Sequence, residues 1–165
     1  MRLARGILAA LAGVALAVMA GGPAQAVNGV FRGAKSARIL VGDLTDDART
    51  CGLSRDMVLA LVKGALGTTN LLIDAPGNPD FSLYVDVATV RTPGGDCVSS
   101  MAVKAANHED VKFTFSRVKR SFQVVLFDET DLRVSGAAAH ADTVASGLGQ
   151  VLGKFASDYD LDTRW

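Results

Sequence analysis

The sequence predicts an α+β fold, a two-layer sandwich with a mixed four- to five-stranded sheet and two helices on one face. Three observations lead there. Residues 81–90 (FSLYVDVATV) alternate strictly, with Phe81, Leu83, Val85 and Val87 on one side and Ser82, Tyr84, Asp86 and Ala88 on the other. A second run, residues 97–106 (CVSSMAVKAA), follows across Thr92-Pro93-Gly94-Gly95-Asp96, whose Pro and Gly favour a chain reversal. Two segments with helical periodicity, one before and one after this pair, supply the layer that covers its apolar side.

The elements follow in order. Residues 27–37 (VNGVFRGAKSA) are small and polar without a period and read as a lead-in. Residues 38–41 (RILV) form a first strand ended by Gly42-Asp43, and residues 44–50 (LTDDART) a loop. The first helix starts at Ser54, a favourable N-cap, with Asp56 in its first turn and Leu53 placed to staple onto Val58. Val58, Leu61, Val62, Ala65 and Leu66 make its buried face, and Gly67 is expected as a left-handed C-cap. Residues 68–74 (TTNLLID) read as a second strand, parallel to the first because a helix connects them. Residues 75–80, with two prolines, are a loop.

Beyond Ala106 the apolar phase persists through Met101, Val103 and Ala105 to Val111, Phe113 and Phe115. A tight hairpin at residues 107–110 would move those phenylalanines to the opposite face, so one long strand, with a bulge allowed, is favoured. Residues 117–120 are the next turn, residues 121–128 (SFQVVLFD) the last strand, and residues 129–136 a lead into the final helix. That helix, about residues 137–159, carries the stripe Val144, Leu148, Val151, Leu152, Phe155 and Tyr159. Beside it runs a small-residue ridge, Ala141, Ala145, Gly149, Gly153 and Ser157. Close approach by the sheet is the expected reason for the ridge, with a partner helix or subunit as the alternative.

The N-terminus is expected to stand outside this domain. Arg2 and Arg5 precede an apolar run at residues 7–20, then Gly21-Gly22-Pro23 and the small-x-small Ala24-Gln25-Ala26. This is the layout of a secretory signal, giving a signal peptide at residues 1–26 and one α/β domain at residues 27–165, periplasmic or secreted. Removing the signal takes two arginines and no acid from 17 basic and 17 acidic residues, which leaves 15 against 17 and a net charge of −2. Such a balance speaks against nucleic-acid binding, and no transmembrane segment is expected after signal removal. In an oxidising compartment Cys51 and Cys97, the only two cysteines, are expected to form a disulfide.

Chemical motifs are sparse. Asp158, Asp160 and Asp162 imitate the start of a calcium loop, but Thr163 stands where that loop requires Gly, and a solvated acidic tail is the better reading. His108-Glu109-Asp110 and Asp128-Glu129-Thr130-Asp131 read as solvated turns. His140 is expected on the solvated side of the last helix. No serine stands in a G-x-S-x-G elbow and no glycine run matches a phosphate loop. No catalytic residue, metal or cofactor is therefore assigned. Tyr84, on the sheet face away from the core, and Arg117, Lys119 and Arg120, flanked by Phe113, Phe115 and Phe122, are the candidate partner contacts.

The signal, Cys51-Gly52-Leu53 before a helix, Cys97 opening a strand, and the long C-terminal helix resemble small exported Gram-negative bacterial proteins of unknown function. More distantly, the element order looks like the α/β domains of envelope accessory proteins such as the lipopolysaccharide-assembly and curli secretion lipoproteins. Those are lipid-anchored, whereas no cysteine stands at the cleavage point here. The resemblance implies a non-catalytic binding or accessory module whose partner is an envelope protein or an anionic envelope component. A small periplasmic hydrolase, or a structural subunit assembling through a sheet edge or the C-terminal helix into a homo-oligomer, are the alternatives.

Overall fold

The computed structural model describes residues 29–115 and 118–164. The predicted signal peptide and Arg117 lie outside the described residues. Eight elements follow in order: β1 (Ser36–Val41), α1 (Asp46–Thr50), α2 (Arg55–Leu66), β2 (Leu72–Ile73), β3 (Phe81–Arg91), β4 (Asp96–Lys112), β5 (Lys119–Gly136) and α3 (Ala137–Thr163). The strands form one mixed sheet in the order β2-β1-β3-β4-β5. β1 runs parallel to β2 and to β3, and β3, β4 and β5 form an antiparallel meander. This is the expected two-layer α+β arrangement, including the parallel pair made by the β1–α2–β2 crossover.

The alternating run at residues 81–90 is β3, and its pattern is kept residue for residue. Phe81, Leu83, Val85 and Val87 are buried, as are Met101, Val103 and Ala105 of β4 on the same side. The stripe on α3 closes over them, with Val144, Leu148, Leu152 and Phe155 inaccessible to solvent. Between the layers sits an aromatic cluster in which Phe155 meets Phe127, Phe31 and Phe81 at centroid distances of 5.3, 5.5 and 6.2 Å. Tilted and edge-on contacts of this kind add to simple area burial.

Several expectations need correction. The lead-in is part of the core: Phe31 is buried, and Asp162 near the end of α3 accepts from the backbone N–H groups of Gly29 (3.0 Å) and Phe31 (3.2 Å). Asp162 is thus buried rather than in a solvated tail, and Asp158, Asp160 and Asp162 all lie on helix. The loop at residues 44–50 contains α1, capped by the Thr45 hydroxyl, which accepts from Ala48 N–H, with Asp46 and Asp47 in its first turn. Ser54 caps α2 as expected, accepting from Met57 N–H. Gly67, however, ends α2 at φ −63°, in the right-handed region. The predicted second strand shrinks to Leu72–Ile73, because Thr69 turns back onto the Leu66 carbonyl through both its N–H and its hydroxyl.

The long strand across residues 107–112 is present, whereas residues 129–136 are strand rather than a lead into helix, so β5 spans 18 residues from Lys119 to Gly136. The bulge falls on the partner strand. Ala105 pairs with Phe127 and Ala106 with Val125, which leaves Leu126 as the extra residue in β5.

The sheet does not explain the small-residue ridge. A Cβ added at Gly149 or Gly153 would meet nothing within 4 Å, and both glycines are exposed along the open groove between α2 and α3. The glycine that close approach requires is Gly147, two positions from the nearest members of the ridge, Ala145 and Gly149. A Cβ there would stand 2.8 Å from Met101 Cε, Arg133 Nε and Asp131 Oδ2.

Candidate functional site

Two surfaces stand out, and the same sheet builds both. The first is an arm. No described residue between 107 and 125 belongs to the core cluster, so the β4–β5 hairpin runs on past the layer that the helices cover. Six residues of β4 lie in this extension, roughly 20 Å of extended chain. The phase of β4 keeps Asn107, Glu109 and Val111 on the side of Met101, Val103 and Ala105. The extra residue Leu126 shifts the phase of β5, so that the register sets Val124, Phe122 and Arg120 opposite them. Without the bulge those side chains would emerge on the other face.

The arm is therefore two-sided. One side carries Val111, Phe122 and Val124, all exposed, and the other His108, Asp110, Lys112, Lys119, Ser121 and Gln123. At its end Phe113 is held between Phe115, stacked at 5.1 Å, and Phe122, edge-on at 5.4 Å. Phe115 is 85% exposed. Lys112 and Lys119 are direct cross-strand partners, and among the described residues no carboxylate forms an ion pair with Lys112, Lys119 or Arg120. Like charges directly opposite one another destabilise a hairpin. A cleft of about 530 Å³ lies under the root of the arm, lined by residues that include Val30, Asp80, Asn107, Glu109 and Val124.

The second surface is the sheet face opposite the helices. Leu40, Tyr84, Lys104 and Asp128 form one row across four strands. Ala88, Ser100 and Leu132 form another, and Val90, Val98 and Val134 a third. Val90, Leu132 and Val134 are each more than half exposed, and Tyr84 is half-buried among its cross-strand neighbours. Among the described residues no element covers this face, since all three helices belong to the other layer. Tyr84 thus lies where the alternation placed it, while Lys119 and Arg120 lie far along the sheet at the start of β5.

A third cluster, which sequence reasoning missed, is buried. His140 is fully enclosed rather than solvated: Ser99 Oγ lies 2.7 Å from its Nε2 and Ser135 Oγ 2.8 Å from its Nδ1. Ser99 in turn meets Thr89 Oγ1 at 2.6 Å. Burial holds the imidazole pKa below its ordinary value, so the ring is neutral at pH 7. Cys51 and Cys97 are joined near this cluster with a Cα–Cα distance of 6.2 Å, tying the end of α1 to the start of β4. With both ring nitrogens engaged and no exposure, His140 has no free edge to offer a substrate. No single stretch of sequence held this signal: Ser99 pairs with Arg133 and Ser135 with Cys97, so the two serines come onto one face, two residues apart, only through the β4–β5 register. His108 lies on the exposed polar side of the arm, away from His140. Among the described residues no three His, Cys, Asp or Glu side chains converge to hold a metal ion, and no helix is long and apolar enough to cross a membrane.

No protein-family model matches the sequence, and no curated protein matches it significantly. Among solved structures the chain is similar to a PelC dodecamer from Paraburkholderia phytofirmans, at 18% identity and a TM-score of 0.43, over 81% of this chain and 90% of that one.

Proposed function

We propose that the chain is an exported, non-catalytic binding module of the cell envelope, which acts through its uncovered sheet face. The observation that carries this reading is a sheet face that nothing in the described fold covers, where Val90, Val98 and Val134 form one row, Ala88, Ser100 and Leu132 the next, and Tyr84 stands two rows further on, beyond Asp86, Ala102 and Thr130. Contiguous exposed apolar surface of this kind marks contact sites, and half-buried tyrosines are frequent anchors in them. Export is supported by the N-terminal pattern of residues 1–26 and by the Cys51–Cys97 disulfide, a bond characteristic of oxidising compartments. Burial of His140 counts against a hydrolase built on it.

Crosslinking in intact cells of the native host tests the reading. Tyr84→Asp and Leu132→Asp should each keep the fold by circular dichroism and lose the partner that the wild type captures. If both variants fold and retain every partner, this face is not where the protein acts.

A second reading, assembly of copies through a sheet edge, is favoured by β5, an 18-residue strand at the end of the strand order. A mass that rises with concentration in sedimentation equilibrium would support it.

A further inference from the structure

We infer that the end of the β4–β5 arm docks on an anionic lipid surface. The surface differs from the sheet face proposed above, and the inference rests on that reading only through export, which brings the protein to an envelope membrane.

Charge is the first ground. Residues 111–115 and 118–122 carry three cations, Lys112, Lys119 and Arg120, and no acid, leaving 14 basic against 17 acidic residues in the rest of the chain. The arm's end is thus basic on a molecule that is otherwise acidic. Lys112 and Lys119 face each other in the last pair of the ladder, with Arg120 next along, and among the described residues no carboxylate forms an ion pair with them. Holding two ammonium groups in register costs the hairpin stability unless an anion sits between them. A dense layer of lipid phosphates supplies that anion, and each cation near such a surface strengthens attachment.

Aromatic exposure is the second ground. Phe113 is packed between two rings, while Phe115 projects almost fully into solvent. The core draws nothing from it. An exposed aromatic end flanked by Lys and Arg, whose long stems let their charged heads stand apart from the rings, matches the headgroup boundary of a bilayer.

Size decides between a bilayer and a folded protein. Three phenylalanines expose at most about 150–250 Å² each, together about 450–750 Å² before what they bury against one another, which falls short of the roughly 800 Å² per partner of a standard protein interface. Partition of side chains into a bilayer has no such threshold.

Vesicle sedimentation with the purified mature chain, disulfide intact, tests the inference. Vesicles of phosphatidylethanolamine with about one-third phosphatidylglycerol should bind the protein at least about tenfold more tightly than phosphatidylcholine vesicles, and added salt should weaken the binding. Phe115→Asp, and separately Lys119→Glu with Arg120→Glu, should each lower binding by about tenfold or more with unchanged melting. Tyr84→Asp should bind like the wild type. Absence of wild-type binding to the anionic vesicles overturns the inference, as does wild-type binding by both arm variants. If vesicles do not bind and the arm variants instead lower the mass of the free protein, the arm is an interface between copies, and the lipid reading is overturned. None of these results touches the crosslinking outcome at Tyr84, so the two readings fail separately.

Discussion

His140 makes the stability of the molecule depend on pH in a defined direction. Its pKa is lowered in the folded state from 6.5, so below that pH the unfolded chain binds a proton that the native chain refuses. The native state therefore loses stability as pH falls from 6.5 toward the depressed folded value. Denaturant titrations between about pH 5 and pH 7 should show this slope in the wild type, and His140→Gln should flatten it while lowering stability by about 1–3 kcal/mol through the broken Ser99–His140–Ser135 chain. An unchanged slope would mean another group titrates. At this scale the sequence was hardest to read. A histidine in the first turn of a helix beginning Ala137-Ala138-Ala139 has no neighbour in sequence to announce burial, because its partners arrive from β4 and from the end of β5. Asp162 is the same case. Its partners, Gly29 and Phe31, are more than 130 residues away, so an i, i+2 acidic pattern said nothing about the role of one member. Asp162→Ala should cost about 1.5–3 kcal/mol, since two backbone donors lose a charged acceptor, and Phe31 should become accessible to quenching probes.

At the scale of elements, periodicity succeeded where one face is buried and failed where local chemistry alone was available. β3 and the α3 stripe were legible because burial on one side imposes periods of 2 and 3.6. The phase that Val111 continues also revealed the long β4, although that end of the strand is exposed on both sides. α1 was missed because five residues are too few to show a period, and only the Thr45 cap and two acids marked it. The bulge was allowed on β4 and falls instead at Leu126 of β5, since an inserted residue is visible only against a known partner register. The helix glycines separate these cases experimentally. Gly147→Ala should destabilise by about 1–3 kcal/mol, because its Cβ collides with Met101, Arg133 and Asp131. Gly149→Ala and Gly153→Ala should each stabilise by up to about 1 kcal/mol, because they gain helix propensity into open space. Thermal melts of the three variants decide it, and equal losses at all three sites would restore the ridge as a packing surface. The disulfide acts at this scale too. It closes a loop with a sequence separation of 46, so Cys51→Ser with Cys97→Ser should cost about 4 kcal/mol in the chain-entropy account.

The whole molecule divides into a body that holds the core cluster and an arm that contributes no described side chain to it. Every member of the core cluster lies outside residues 107–125, and the aromatic centre at Phe31, Phe81, Phe127, Phe155 and Tyr159 ends where the helical layer ends. The sequence showed the arm as a continuous strand but not as a projection, because its length beyond the helices depends on where α3 stops across the sheet. Shortening the hairpin tests this division. Residues 108–123 would be replaced by Asn-Gly, a two-residue turn whose backbone twist suits the Asn107–Val124 pair that it closes. The bulge at Leu126 and the contact of Phe127 with Phe155 stay in place. Since no core side chain is removed, stability in denaturant should change by no more than about 1 kcal/mol, within the range of surface substitutions. Loss of the Lys112–Lys119 repulsion acts in the stabilising direction. The shortened protein should keep its disulfide and its Tyr84-dependent crosslink and lose sedimentation with anionic vesicles. A collapse of the melting transition would show instead that the arm is part of the cooperative unit, with Phe113, Phe115 and Phe122 serving stability rather than contact.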